Sequence, residues 1–397
     1  MSESAVSRPG APDARPAKIM FVAGENSGDL HASRVIEELR KIYPNADIFG
    51  FGGDRMQRAG MRLLENLAQK LPIVGITQVI RHFPKIRALL KQAADLLRDE
   101  KPDLLVLVDY PGFNLRTARA ARKAGVPVAY YISPQFWAWH RSRLEIIRNN
   151  VDKMLVILPF EADLYREEGI AVDYVGHPLQ DDEAMLTPRT EVLSALEIPA
   201  DAEVIGLMPG SRNGEVVRHL PVMLEAAEII HRQRPGAWFV IPRATTIEGP
   251  LVRQHLESHP SLPVVIAESD HKSVRAAMDF VICKSGTSTL EFALAGVPMV
   301  IMYKASAITA MIARRVLKIP YLGLVNIIAG DSVAPELWQE KATGAALAKA
   351  SLDILENPAA LAAMKEKLAA VREKVGGPGA SKRAAETLAA MLSQRRA

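Results

Sequence analysis

The sequence predicts an α/β protein of two doubly wound domains with a helical C-terminus. Three observations carry that expectation. Short apolar runs alternate with amphipathic stretches along most of the chain, the pattern of a parallel sheet with helices on both faces. The rhythm pauses once, in the polar, acidic stretch from about Pro178 to Ala202, and then restarts, as at a connection between domains. The length, 397 residues, suits two or three domains.

The elements follow in order. MSESAVSRPGAPDARPA (1–17) has no apolar signal core and is expected to be a disordered tail. KIMFVAG (18–24) is a buried strand, with a helix from about Gly28 to Lys41 behind it. DIFGFGG, LLVLVDY, VAYYIS and KMLVILP are further strands, separated by stretches of mostly helical spacing. In one of these, Ile86, Leu89, Leu90, Ala93 and Leu97 mark the core face of a helix after Pro84. The second half restarts with VIGLMPGS (204–211), WFVIP (238–242), PVVIA (263–267), DFVICKS (279–285) and PMVIMY (298–303). From about Ala342 the chain reads as helix, broken by GGPG (376–379). The expected domains are therefore 18–185 and 186–397, facing each other across a cleft. Ligands in such sheets bind at the carboxyl ends of the strands.

Composition narrows the function. Hydrophobic residues at 49% and charged residues at 24% exclude a disordered or low-complexity chain. A formal charge of +4 from 49 Lys+Arg and 45 Asp+Glu is too small to argue for nucleic acid. The single cysteine, Cys283, excludes an intramolecular disulfide and Cys-based metal centres, and fits a reducing cytoplasm. No apolar run reaches the roughly 18 residues of a membrane-spanning helix. The histidines lack HExxH spacing, and no GxSxG elbow occurs.

Four strand ends carry chemistry. GENSGDLHAS (24–33) follows the first strand, with Glu25, Ser27, Asp29 and His31 crowded at a helix start. The carboxylates would repel a phosphate but suit sugar hydroxyls, and Ser27 is placed to cap the helix. In LLVLVDYPGFN (104–114), Asp109 closes a run of five apolar residues. Partial desolvation there raises a carboxyl pKa toward general-base use, and Asn114 is placed to cap the next helix. LMPGSRNGEVVRHL (207–220) opens the second half. Gly210 and Ser211 make its turn, and Arg212 can give a forked contact to phosphate. In CKSGTSTLEFALAGVP (283–298), Ser285, Gly286 and Thr287 offer hydroxyl and N–H groups at a helix start. Glu291, one turn on, is placed for a ribose hydroxyl.

Two acid-free stretches suit an apolar ligand or a bilayer. Residues 66–94 carry Lys70, Arg81, Lys85, Arg87 and Lys91. Within them Ile73, Val74, Ile76, Val79, Ile80 and Phe83 form an apolar segment fit for an anionic membrane surface, with core packing as the other reading. Residues 292–330, with Arg314, Arg315 and Lys318, read as core packing. QFWAWHRSR (135–143) suits either stacking on a base or sugar or the packed start of a helix.

GENSGDLHA, DYPGFN, SPQFWAWHRSR, LPFE (158–161), VGHP (175–178), MPGSR, SGTSTLE and PYLGLVNIIAG (320–330) resemble, in order, the motifs of the lipid-A-disaccharide synthase family. The resemblance runs from about Lys18 to the C-terminus. It implies a GT-B glycosyltransferase fold of two facing Rossmann-like domains. The implied reaction joins UDP-2,3-diacylglucosamine to 2,3-diacylglucosamine 1-phosphate, with UDP and a β-1,6-linked disaccharide phosphate as products. It also implies action at the inner face of the cytoplasmic membrane. It matches the family's catalytic aspartate to Asp109, its UDP-contacting arginine to Arg212, an asparagine of the YLGLVN segment to Asn326 and a membrane segment to 71–83. His31 is the second candidate base, and Glu25, Ser27 and Asp29 become candidate acceptor contacts. Lys284 departs from the family pattern, where a small residue usually precedes the SGT turn. Helix N-termini and an arginine can stabilise departing UDP, so neither a metal nor a cofactor is expected. Homodimerisation stays open. The competing readings are a non-hydrolysing UDP-sugar 2-epimerase, which needs no lipid-facing surface, and a non-catalytic nucleotide-sugar-binding protein.

Overall fold

The computed structural model describes residues 15–67, 76–134, 142–181, 186–268, 271–306 and 320–396, and of residues 76–82, 142 and 271 the backbone alone. The expected membrane residues Ile73 and Val74, most of the aromatic run and the basic cluster Arg314, Arg315 and Lys318 lie outside the described residues. The same holds for the side chains of Ile76, Val79 and Ile80.

The chain forms two compact units, Met1–Asp182 with Gly377–Ala397, and Glu183–Gly376. In the first, β1 (Lys18–Ala23), β2 (Asp47–Gly52), β3 (Arg62–Asn66), β4 (Leu104–Val108), β5 (Val128–Tyr131), β6 (Lys153–Val156) and β7 (Val172–Tyr174) form one sheet. Its order is β3-β2-β1-β4-β5-β6-β7, and every pairing is parallel. β4 throughout, and β1 after Lys18, are apolar because both of their faces are covered. Met20, Val22, Leu105 and Leu107 point into one core, where Leu89, Ala93, Leu97, Phe113 and Ile147 meet them. Ile19, Phe21, Val106 and Val108 point into the other, against Ala32, Val35, Ile36 and Leu39 of the Asn26–Ile42 helix.

The second core holds a correction. Residues 186–397 were expected to form one domain, yet Ala384, Ala385, Leu388 and Leu392 of the last helix, Ala380–Arg396, pack into the first unit. Burying each leucine is worth about 1.5–3 kcal/mol, so the helix is fixed by its apolar face. Its first N–H groups also have a partner there. The Asp181 carboxylate accepts from Gly379, Ala380 and Ser381 at 2.7, 2.8 and 2.7 Å. Burial alone would raise this carboxyl, but the hydrogen bonds from residues 379–381 outweigh it and hold the pKa below the ordinary carboxylate range. The GGPG stretch breaks the helical C-terminal part as expected, between the Pro358–Val375 and Ala380–Arg396 helices, and there the chain passes back to the first unit.

In the second unit β8 (Glu203–Met208), β9 (Ala237–Pro242), β10 (Val264–Ala267), β11 (Phe280–Lys284), β12 (Met299–Tyr303) and β13 (Glu336–Trp338) form a parallel sheet. Its order is β10-β9-β8-β11-β12-β13. Each sheet therefore reverses its winding once, between β1 and β4 and between β8 and β11. A crevice opens outside the strand ends at such a reversal.

Smaller differences have local causes. The expected connection contains a helix, Arg189–Ala195, whose Val192 and Leu193 are buried. The Ile76–Glu100 helix runs through Pro84 instead of starting after it. Its core face is as expected, with Leu89, Ala93 and Leu97 buried and Ile86 and Leu90 packed beside them. Short β3, β7 and β13 lack a continuous apolar run, so the alternation of apolar segments did not reveal them.

Candidate active site

In the first unit the reversal point is built by the turns after β1 and β4. The Asn26–Ile42 helix begins at once after the first turn, with Glu25 as its N-cap residue and no side-chain cap. Ser27 is therefore inside the first turn and exposed, not a cap. A Cβ on Gly24 would overlap the Tyr110 ring, so only glycine lets the two turns approach. Asp29 differs from its expected acceptor role. It is 6% exposed, and its carboxylate accepts from the backbone N–H of Arg55 at 3.2 Å and Met56 at 3.0 Å, capping the Asp54–Arg58 helix.

Asp109 and Tyr110 both take left-handed backbone, φ 47° and 48°. Such conformations cost about 1–3 kcal/mol each outside glycine and persist only where neighbours hold them. Here the Asp109 carbonyl accepts from Tyr130 Oη at 2.6 Å and Asn114 Nδ2 at 2.7 Å, while its N–H donates to Tyr131 O at 3.0 Å. Asn114 is fully buried inside the Pro111–Ala124 helix, so it anchors the turn instead of capping the helix. The twist turns Asp109 out of the strand while leaving it partly buried. Burial, and then the negative charge of Glu25, push its carboxyl up to about 6.

His31 lies in the Asn26–Ile42 helix, beyond Ser27 and Asp29. Burial first, then Arg34, lower its pKa to about 4, against the opposing pull of Asp181. Its Nδ1 is buried with no hydrogen-bond partner among the described residues. His177, 4% exposed, is lowered to about 3 by burial and then by His31. Both imidazoles are neutral at pH 7. His177 and Asp181 were not singled out in the sequence as site residues; VGHP, the motif that holds His177, was the available signal.

In the second unit the reversal point is built by the turns after β8 and β11. Gly210 adopts φ 125°, and a Cβ there would strike Glu215. The Ser211 N–H donates to Glu215 Oε2 at 3.1 Å, and Lys284 Nζ lies 3.1 Å from Glu215 Oε1. Arg212 is 59% exposed and 3.9 Å from the same carboxylate. The PGSR and KSGT turns are therefore joined through Glu215, which the sequence reading missed. Gly286 has φ 155°, and the Thr287–Ala295 helix starts directly after it, with Thr287 exposed and its first N–H groups at the strand end. Ser285 is less available than expected, since its hydroxyl donates to Leu322 O at 2.8 Å. Glu291 sits one turn in, 3.6 Å from Arg275 Nε. His219, fully buried, ties Pro209 O at 2.7 Å to Lys304 at the end of β12. Burial lowers its pKa.

Asn326 differs most from expectation. It is fully buried, and its amide makes four bonds, to Ala334 O and Glu336 Oε1 as donor and from Val333 N and Ala334 N as acceptor. That is the full capacity of an amide, so Asn326 braces the loop beside β13 instead of facing a nucleotide. Glu336 completes the brace by accepting from Leu322 N and Gly323 N at 2.8 and 2.9 Å.

Comparison with known proteins decides between readings that the fold leaves equal. Among solved structures, a UDP-GlcNAc 2-epimerase from Neisseria meningitidis bound to UDP-GlcNAc superposes with a TM-score of 0.66 at 15% identity, covering 94% of this chain and 100% of its own. The glycotransferase of kitacinnamycin gives 0.65 at 17%, covering 95% and 100%. The fold is thus the GT-B type, shared by epimerases and glycosyltransferases alike. The lipid-A-disaccharide synthetase family model, by contrast, matches residues 19–391. The chain belongs to the lipid-A-disaccharide synthase family. A lipid-A-disaccharide synthase of Trichlorobacter lovleyi is 41% identical over 96% of this chain and 99% of its own length. One of Geobacter metallireducens is 39% identical over 96% and 98%. The family is one of glycosyltransferases that form the disaccharide of lipid A, and membership sets aside the epimerase and non-catalytic readings. Its substrates are a nucleotide sugar and a lipid acceptor. No helix among the described residues is long and apolar enough to cross a membrane.

Proposed function

We propose that this enzyme transfers 2,3-diacylglucosamine from UDP to 2,3-diacylglucosamine 1-phosphate with inversion, and that Asp109 is the base. The observation that carries the assignment is a carboxyl raised to about 6 at the reversal point of the first sheet. The acceptor's primary hydroxyl is a weak nucleophile until a base takes its proton. Asp109 accepts that proton as the hydroxyl oxygen bonds to the anomeric carbon. The bond from that carbon to the diphosphate breaks, and UDP leaves with the electron pair. Arg212 and the N–H groups at Gly286 and Thr287 stabilise the charge on departing UDP, with Ser211 in the adjoining turn. Glu291 is assigned to the ribose. Glu25, exposed beside Asp109, is the carboxylate left to receive acceptor hydroxyls, since Asp29 is engaged in a helix cap.

The membrane reading rests on the apolar segment that ends at Phe83, within the basic, acid-free stretch 66–94; Phe83 is 59% exposed beside exposed Lys85 and Arg87. These groups suit an anionic lipid surface, here the inner face of the cytoplasmic membrane. Incubation with UDP-diacylglucosamine, with and without acceptor, tests the function. UDP and a disaccharide phosphate should appear only when acceptor is present. UDP release without acceptor, or no disaccharide with it, would overturn the reading.

A further inference from the structure

Glu215 sits where a carboxylate is hardest to explain. It is 12% exposed in the first turn of the Asn213–Gln233 helix, beside the turns assigned to a nucleotide diphosphate. An uncompensated negative charge there repels a phosphate. It also competes for the nearby guanidinium, because carboxylate and phosphate offer an arginine fork the same geometry. The carboxylate nevertheless has structural work, since its Oε2 holds the Ser211 N–H and Gly210 is folded against it.

We propose that Lys284 is a positioning residue for the nucleotide: by pairing with Glu215 it neutralises that carboxylate and leaves Arg212 available to the diphosphate. The inference rests on the nucleotide reading of the second unit. The geometry supports a division of labour between the two cations. Lys284 Nζ is 3.1 Å from Glu215 Oε1 and its side chain is 19% exposed, whereas Arg212 stands 3.9 Å from that oxygen and is 59% exposed. Lys284 is anchored because it ends β11, paired with β12 on one side, and β8 is the other neighbour of that strand. Its Nζ also lies over the SGT turn, 3.2 Å from where a Cβ on Gly286 would be. One ammonium thus links the two turns and cancels the charge that would otherwise draw Arg212 away.

Titrations of UDP and of uridine separate this role from a direct phosphate contact. Lys284→Met should weaken UDP binding by about tenfold, the scale of one lost charge-assisted bond, and leave uridine unchanged. Glu215→Gln keeps an acceptor for Ser211 and should bind UDP as well as the wild type does. The double variant, with no carboxylate left to compete for Arg212, should recover UDP affinity to within about threefold of wild type. Lys284→Arg should also retain it. A double variant as weak as Lys284→Met would overturn the proposal, because Lys284 would then act on the nucleotide itself. Wild-type affinity in Lys284→Met would overturn it as well. Should Lys284→Met fail to fold, Lys284→Gln carries the same comparison. A wild-type protein that binds no UDP would instead remove the nucleotide reading on which the inference stands.

Discussion

At Asp109 a backbone twist, a buried setting and a neighbouring carboxylate act together on one proton. A base works best with a pKa near the working pH. The Asp109 carboxyl, at about 6, meets that condition better than His31, at about 4. Asp109→Asn keeps the shape and should lower turnover by about 10²–10⁴-fold, while UDP affinity stays near wild type. His31→Ala should cost less. The pH profile discriminates further, because wild-type kcat/KM should fall on the acid side with a midpoint near 6, whereas a limb near 4 would transfer the base role to His31. Stability should carry the same signature. The folded value lies above the ordinary 3.8, so the native state holds the extra proton between the two. Its advantage declines as pH rises through that window and is gone above about 6. Denaturant titrations should find Asp109→Asn stabilised relative to wild type at pH 8, by about 1–3 kcal/mol, and not at pH 4.

Arg212 makes the second prediction at this scale. A charge-assisted bond contributes about 1.5–3 kcal/mol, so Arg212→Ala should weaken UDP binding by about 10–100-fold with thermal unfolding unchanged. Unaltered UDP affinity in a titration would reject its assignment.

Among the elements, the last helix depends on a carboxylate remote in sequence. Asp181 accepts three backbone N–H groups at its start, and its pKa is lowered by them. Asp181→Asn should destabilise the protein by about 1–2 kcal/mol at pH 7. Because the folded pKa is depressed, the stabilisation is complete above the ordinary carboxylate value and disappears as pH falls through the folded one. Unfolding of wild type and variant should therefore converge in acid. A difference that persists at pH 2 would mean that the side chain acts by packing.

For the whole molecule the testable property is attraction to lipid. Phe83→Ser, at an exposed position, should reduce binding to anionic vesicles without altering thermal unfolding. Added salt should weaken the remainder by screening Lys and Arg. Unchanged vesicle binding would argue against this segment as the membrane contact.

The sequence alone was enough to place the two α/β units, the central strands and the strand ends that carry Asp109, Arg212 and Ser285–Thr287. It could do so because a strand covered on both faces must be apolar along its length, and a turn at its end must use small or polar residues. The order of the motifs also carried the family. The folded arrangement was needed to show where the last helix packs, since an apolar helical face does not name its partner, and Asp181 lies 199 positions before Ala380. It also decided that Asp29 and Asn326 are braces and that Glu215 joins two turns. Polar side chains at strand ends look alike in sequence. Whether they meet a backbone N–H group or stay exposed to a ligand depends on which distant segments the fold brings beside them.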